Sequence, residues 1–299
     1  MSPEVRPQTR SEIAALLGAA DVRLSRRRGQ SFLVDGNLMR LVVEAAGIEP
    51  SDLVFEVGTG TGSLTRLIAE AAHEVLTVEV DARLVAVARD VLDAFDNVTL
   101  IRADVLAGKH RLNPEVLDAL RAAAAGHPRT RLVANLPYSI ATPLVLNLVF
   151  GDVVFERMVF TVQREVAERL TASPGTRAYG WASVVIALSG DIEVLRDLPS
   201  TAFWPRPEVT SSLVRFRPRR DWTRGIDVDR FTAFGGYVFQ QRRKTVLRIV
   251  RDYLKNCPGA PEAAAVLETC RIAPRTRGDQ LSPAQIVELS RTIPPRRTP

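Results

Sequence analysis

The 299-residue chain is poor in lysine. Lys109, Lys244 and Lys255 are the only lysines among its 40 basic residues, so its positive charge is almost wholly arginine. Cysteine is scarce too. Cys257 and Cys270 cannot build a disulfide framework, and no metal-ligand spacing surrounds them, so no metal site is expected. Three histidines, His73, His110 and His127, stand far apart beside expected loops, which suits solvated groups better than catalytic ones. No apolar run approaches the ~18 residues of a membrane span, and the first residues are charged, without an apolar signal core. The expected compartment is therefore the cytoplasm, with no membrane partner and a monomeric state. What remains is ordinary for a globular protein, with 46% hydrophobic and 25% charged residues. The length allows one large domain, or one large and one small.

Formal net charge is +6, and the basic residues cluster at Arg26–Arg28, Arg215–Arg220, Arg242-Arg243-Lys244 and Arg296-Arg297. Any one cluster is ordinarily a solvated face. Several on a basic chain point to a polyanionic partner, because arginine offers planar bidentate donors to phosphate and can stack on bases.

The most informative stretch runs from Asp52 to Thr65. Leu53–Val57 is a short apolar run that predicts a buried parallel strand. Gly58, Gly60 and Gly62 then remove every Cβ from one side of a tight turn, and Ser63–Ala71 resumes with helical spacing. A dinucleotide fingerprint would need glycine at position 63, where serine stands. A second strand, Val75–Val80, carries Glu79 near its end, placed to accept two hydrogen bonds from a ribose diol. S-adenosylmethionine has that ribose but no pyrophosphate, so it fits a glycine loop that lacks the phosphate-cradling helix start. The alternative is a glycine-rich turn that binds nothing.

Before this stretch, residues 1–35 form a polar arm with a short helical pattern over Glu12–Gly18, and Asp35 can cap a helix over Asn37–Ala46. After it, strand and helix alternate. Helices are predicted at Ala82–Leu92, Pro114–Ala125, Pro143–Phe150 and Arg164–Ala172, and strands at Val98–Arg102, Arg131–Ala134 and Arg157–Gln163. Repeated βα units imply an α/β class with a mostly parallel, doubly wound sheet, whose ligands lie at strand carboxyl ends. Gly58, Glu79, Asp104 and Asn135 all fall at such ends. Apolar stretches Val184–Leu188 and Ile192–Leu198 flank Gly190-Asp191, and Val209–Phe216 reads as a terminal strand behind a proline-stiffened loop. Beyond it only helices are predicted: Val228–Gln240, Arg242–Lys255, Pro261–Cys270 and Pro283–Arg291. The expected boundary lies near 220, giving domains of 1–220 and 221–299.

Asn135-Leu136-Pro137-Tyr138 at a strand end suggests the chemistry. An exocyclic aromatic amine is a poor nucleophile because its lone pair is delocalised into the ring. Acceptors for both of its N–H groups favour a pyramidal nitrogen and localise that pair. The Asn135 side-chain oxygen and the Leu136 carbonyl can supply them, Pro137 stiffens the turn, and Tyr138 can stack on the base. Phe203 is a candidate for the opposite wall, with Trp204 open between wall and core. An Asn-Pro turn without chemistry is the bland alternative.

Taken together, these motifs resemble the rRNA adenine N6,N6-dimethyltransferase family. The matching stretches are Gly29–Leu33, Glu56–Gly62, Glu79–Asp81, Ala103-Asp104, Asn135–Tyr138, Gln163–Leu170, Ala202–Ser212, Phe239–Thr245 and Arg277–Ser282. The resemblance implies a Rossmann-like S-adenosylmethionine-dependent methyltransferase domain and a small all-helical C-terminal domain that docks RNA. It implies cofactor contacts at Ser31, Leu33, Gly58, Gly60, Glu79, Asp104 and Asn135. Catalytic roles would fall to Asn135, Leu136, Pro137 and Tyr138, with Phe203 beside them. The implied substrate is a pair of adjacent adenosines near the 3′ end of small-subunit rRNA, in a precursor particle, with a part in subunit biogenesis. Ser31 stands where the family usually has asparagine, and Thr59 where proline is common. The rivals are a large-subunit enzyme of the macrolide-resistance type, a DNA adenine methyltransferase, and a non-catalytic RNA-binding assembly factor.

Overall fold

The computed structural model describes residues 5–22, 31–255, 257 and 259–294. Gly29-Gln30 and the clusters Arg26–Arg28 and Arg296-Arg297 lie outside those residues. The chain divides into two compact units. One holds the residues up to Ala167 together with Ile192–Pro218, and the other holds Glu168–Asp191 and the residues from Arg219 onward. The expected boundary near 220 lies beside the last of these crossings. The earlier excursion over 168–191 carries no composition shift to announce it.

In the first unit the elements follow as α1 (Arg10–Ala19), β1 (Phe32–Leu33), α2 (Gly36–Ala46), β2 (Leu53–Val57), α3 (Ser63–Ala71), β3 (Glu74–Glu79), α4 (Ala82–Leu92) and β4 (Val98–Arg102). A small hairpin, β5 (Leu106–Gly108) and β6 (Arg111–Leu112), precedes α5 (Pro114–Ala125), β7 (Thr130–Asn135), α6 (Ala141–Phe150), β8 (Phe155–Gln163) and α7 (Arg164–Leu170). The chain then passes through α8 (Trp181–Ser189) of the second unit and returns by β9 (Gly190–Leu198) to β10 (Phe203–Trp204) and β11 (Ser211–Pro218). Among the described residues the main sheet has the order β4-β3-β2-β7-β8-β11-β9. Neighbours from β4 to β8 pair parallel, and β11 pairs antiparallel with β8. The chain leaves β2 toward β3 on one side and β7 on the other, so β2 and β7 flank the switch point where such sheets hold ligands. The doubly wound architecture is therefore the observed one.

The cause is visible in the side chains. All five residues of β2 are buried, as a strand covered on both faces requires. Val54, Val75, Val133, Val159 and Leu213 form one core with Leu38, Met39 and Val42 of α2 and Leu64, Leu67 and Ile68 of α3. Asp35 caps α2 by accepting from the N–H groups of Asn37 and Leu38 at 3.0 and 3.1 Å. At the strands' amino ends sits a buried ion pair. Asp52, 0% exposed, accepts from Arg129 Nε at 2.7 Å, from Arg131 Nε, and from the Glu49 N–H at 2.9 Å. Arg131, 3% exposed, also donates to the Ala46 carbonyl at the end of α2.

The second unit contains α8, α9 (Val228–Gln240), α10 (Val246–Leu254), α11 (Ala263–Thr269) and α12 (Pro283–Thr292). Val184–Leu188, rich in β-branched residues, is helical because it lies inside a buried helix whose Ser183 hydroxyl accepts from the Gly180 N–H and donates to the Arg169 carbonyl. Gly235 of α9 gives way to Trp181, since a Cβ there would sit 2.0 Å from the indole. The expected helix over Arg242–Lys255 starts only at Val246. Its first residues form a turn because the carbonyls of Arg242 and Lys244 accept from the N–H groups of Asp279 and Gly278. Arg242 Nη1 donates to the Tyr179 carbonyl, and Arg243 is exposed. Of this pair, Arg243 faces solvent and Arg242 fastens the fold.

Candidate active site

The glycine loop follows β2 directly, and the N–H groups of Gly58 and Thr59 donate to the Val78 carbonyl on β3 at 2.8 and 3.4 Å. Gly58, Gly60 and Gly62 all have positive φ, at 88°, 59° and 80°. At Gly60 a second constraint applies: a Cβ would meet the Phe32 ring at 2.9 Å. Only glycine meets both conditions there.

Below the loop lies a buried polar network. Glu56, 1% exposed, accepts from the hydroxyls of Thr65 and Thr77, each at 2.7 Å, and Thr77 also bonds Thr59 at 2.7 Å. Burial pushes the Glu56 carboxyl up to about 7, with the threonine hydroxyls opposing and the Glu79 charge assisting. The folded state thus holds a proton that the unfolded chain releases at an ordinary carboxylate value. Stability is expected to fall as pH rises from about 4.5 to about 7 and to level off above that. Glu56→Gln should flatten this slope, read as melting temperature against pH. An unchanged slope would assign it to another group.

Glu79, 6% exposed, ends β3. One oxygen accepts from the Gly60 N–H and the other from the Asp81 N–H, both at 3.0 Å. Burial raises its carboxyl above the usual range, those N–H groups oppose, and Asp81 adds to the rise. Asp104 follows β4 and shapes the next turn by accepting from the Leu106 N–H at 3.0 Å.

Asn135 ends β7. Its Nδ2 donates to the Ser31 carbonyl at 2.8 Å, and its Oδ1 accepts from the Thr161 hydroxyl at 2.5 Å. Ser31 in turn donates its hydroxyl to the Pro205 carbonyl at 2.9 Å. Leu136 is buried, and the Ile140 N–H closes a turn on the Pro137 carbonyl at 3.1 Å. Tyr138 is held by a 2.7 Å hydrogen bond between its hydroxyl and Ser211 on β11. Ser31, Gly58, Gly60, Glu79, Asp104 and Asn135 line one cavity of about 380 Å³, together with Leu136, Pro137 and Tyr138.

Two expected residues do not face it. In the antiparallel ribbon of β1 and β10, Leu33 pairs with Phe203 and Phe32 with Trp204. Alternation sends Leu33 and Phe203, 4% and 3% exposed, into the main core. Phe203 is therefore absent from the lining of the cavity, while Leu33 lines a small adjoining void of about 40 Å³ with Gly58, Gly60 and Asn135. Phe32 lines the cavity, while Trp204 packs with it against a small cluster of Ile13, Leu17 and Leu84. Sequence reasoning also missed Gln8, whose amide bonds Thr61 and whose N–H donates to Ser63 at 2.9 Å, bracing the glycine loop. Thr161 was missed as well, since a threonine inside a strand pattern carries no mark.

Residues 22–294 match the family model described as Ribosomal RNA adenine dimethylase. The chain belongs to this family. Membership makes it a methyltransferase of the rRNA-modifying type, and the expectation drawn from the motifs agrees with it. Among curated relatives, proteins named Ribosomal RNA small subunit methyltransferase A are 38% identical in Latilactobacillus sakei and 37% in Pediococcus pentosaceus. The alignments cover 88% of this chain and 87% of the first relative, and 93% of both chains for the second. Among solved structures, a dimethyladenosine transferase from Plasmodium falciparum superposes with a TM-score of 0.70 at 22% identity, covering 86% of this chain and 95% of that one. The 23S rRNA methyltransferase ErmE gives 0.62 at 23% identity, covering 88% and 99%. At such identities these two likenesses speak to the fold, which is that of Rossmann-like rRNA methyltransferases. No described helix is long and apolar enough to cross a membrane.

Proposed function

We propose that this dimethylase acts on small-subunit rRNA, converting two adjacent adenosines near the 3′ end to N6,N6-dimethyladenosine at the cavity bounded by Gly58, Glu79, Asp104 and Asn135. One observation carries the reading: the acceptor Asn135 and the aromatic Tyr138 line the same cavity as the glycine loop and Glu79. S-adenosylmethionine, the cofactor the family implies, fits these residues. The loop offers backbone without Cβ atoms, and a buried carboxylate stands at the strand end where a ribose diol would be met. When bound, it supplies an electrophilic methyl group on sulfur. Gly58, Gly60, Glu79 and Asp104 hold the cofactor, and Ser31 braces Asn135 through its carbonyl.

The protein's own part is to orient and to exclude water. Asn135 Oδ1 and the Leu136 carbonyl accept from the target amine and localise its lone pair, while Tyr138 fixes the ring plane. Each transfer replaces one N6–H by a methyl and releases one proton. The helical unit, with Arg243 exposed, docks the RNA by phosphate contacts in a precursor of the small subunit, and the protein works as a cytoplasmic monomer.

The test is to incubate the protein with immature small subunits and S-adenosylmethionine and to read nucleosides by mass spectrometry. Dimethyladenosine is the expected product, and its absence would overturn the reading. Glu79→Ala should weaken S-adenosylmethionine binding in calorimetry by about 1.5–3 kcal/mol, the loss for a charged hydrogen-bond partner. Unchanged affinity would remove Glu79 from the ribose.

A further inference from the structure

The orientation of Asn135 has a supplier outside the Asn-Leu-Pro-Tyr turn. In the parallel pairing of β7 with β8, Asn135 lies directly opposite Thr161. Thr161 is 0% exposed, and its hydroxyl donates to Asn135 Oδ1 at 2.5 Å, at the short end for an O–H···O bond. An amide oxygen has two acceptor sites. Thr161 takes one and leaves one for the cavity. On the other side the Ser31 carbonyl requires the nitrogen of the amide, so the two contacts together permit only one of its two flips.

We infer that Thr161 is a positioning residue that keeps Asn135 Oδ1 satisfied through both methyl transfers, and that it matters most for the second. The inference rests on the proposed dimethylation at this site. Unmodified adenine brings two N–H groups, one for Oδ1 and one for the Leu136 carbonyl. Monomethyladenine brings only one. When that single N–H points to Leu136, Thr161 is the sole partner left to Oδ1. Without the threonine hydroxyl, the second transfer would proceed beside an unpaired acceptor, and such an acceptor raises the energy of every state that leaves it orphaned.

Thr161→Val removes the hydroxyl at nearly constant shape, and Thr161→Ser restores it. With immature small subunits and S-adenosylmethionine, the valine variant should slow conversion of mono- to dimethyladenosine roughly tenfold, the scale of one unsatisfied buried group. The first transfer should slow by less, so monomethyladenosine should accumulate. KM for the subunit and Kd for S-adenosylmethionine should stay within about twofold, and the serine variant should return the wild-type ratio of products. A merely structural role would lower melting temperature and scale both steps together, with no change in that ratio. An unaltered mono-to-dimethyl ratio in a folded Thr161→Val protein, or a serine variant as impaired as valine, would overturn the inference. If wild-type protein forms no dimethyladenosine, the underlying reading fails instead. That arm separates the two failures.

Discussion

Replacing Asn135 by alanine is expected to lower kcat by about 10²–10³ while leaving S-adenosylmethionine affinity much less changed. The size is that for removing one preorganised polar group from a dry site. In the proposed mechanism Asn135 does two things at once: it presents Oδ1 to the target amine, and it ties the chain before β1 by donating to the Ser31 carbonyl. The catalytic loss comes from the first. Positive charge develops at N6 as the new bond forms, and an acceptor already aimed there needs no reorganisation. Single-turnover methylation read by mass spectrometry would measure it, with calorimetry for the cofactor. Near wild-type dimethylation by Asn135→Ala would exclude the side-chain amide from activating the amine. Tyr138 supplies a contrast. Its hydroxyl is anchored on Ser211, so Tyr138→Phe keeps the ring but loses the tether that sets its plane.

The second large effect is on stability. Asp52→Ala should destabilise the first unit by about 3–5 kcal/mol, because it leaves the buried Arg131 charge with only the solvent-exposed Glu49 carboxylate, 3.8 Å away, as counter-ion. Arg131 is only 3% exposed, and its remaining partners are the Ala46 carbonyl and the more distant Glu49 carboxylate. Burial by itself would raise the Asp52 carboxyl, yet the Arg131 and Arg129 bonds and the Glu49 N–H hold it below the ordinary range. The sign follows from linkage: this stabilisation is complete above the ordinary carboxylate pKa and is lost as pH falls through the depressed one. Denaturant unfolding at neutral pH would show a loss far beyond the ~1 kcal/mol typical of a surface pair. A loss that small would mean that Glu49 or water compensates the Arg131 charge.

The periodic parts of the chain were legible from their residues. Ser63–Ala71, Ala82–Leu92, Val98–Arg102 and Pro114–Ala125 have the bounds their residues predict, and Asp81 and Asn113 cap two of these helices by accepting from the Arg83 and Glu115 N–H groups. What failed depends on tertiary context. Arg242 to Lys244 continue a helical pattern, yet distant N–H groups at 278 and 279 claim their carbonyls. Phe203 reads in sequence as free to face a ligand, because nothing in its own loop reveals that Leu33 is its partner across the ribbon. Gly58, Glu79, Asp104 and Asn135 stood out because strand ends are visible in sequence. Thr161 did not, because its significance is a matter of register between two strands.

The ribbon of β1 and β10 also sets an order of assembly. It joins Phe32 to Trp204, and the Ser31–Pro205 bond spans 174 positions. A ribosome making this protein therefore emits the glycine loop, Glu79, Asp104 and Asn135 long before the chain that receives the Ser31 hydroxyl exists. Contacts of such separation are slow to close, and domains built on them finish late. The arm that braces Asn135 thus gains its partner strand only after residue 204 has been synthesised, and a nascent chain arrested earlier carries the cofactor-side residues without a finished rim.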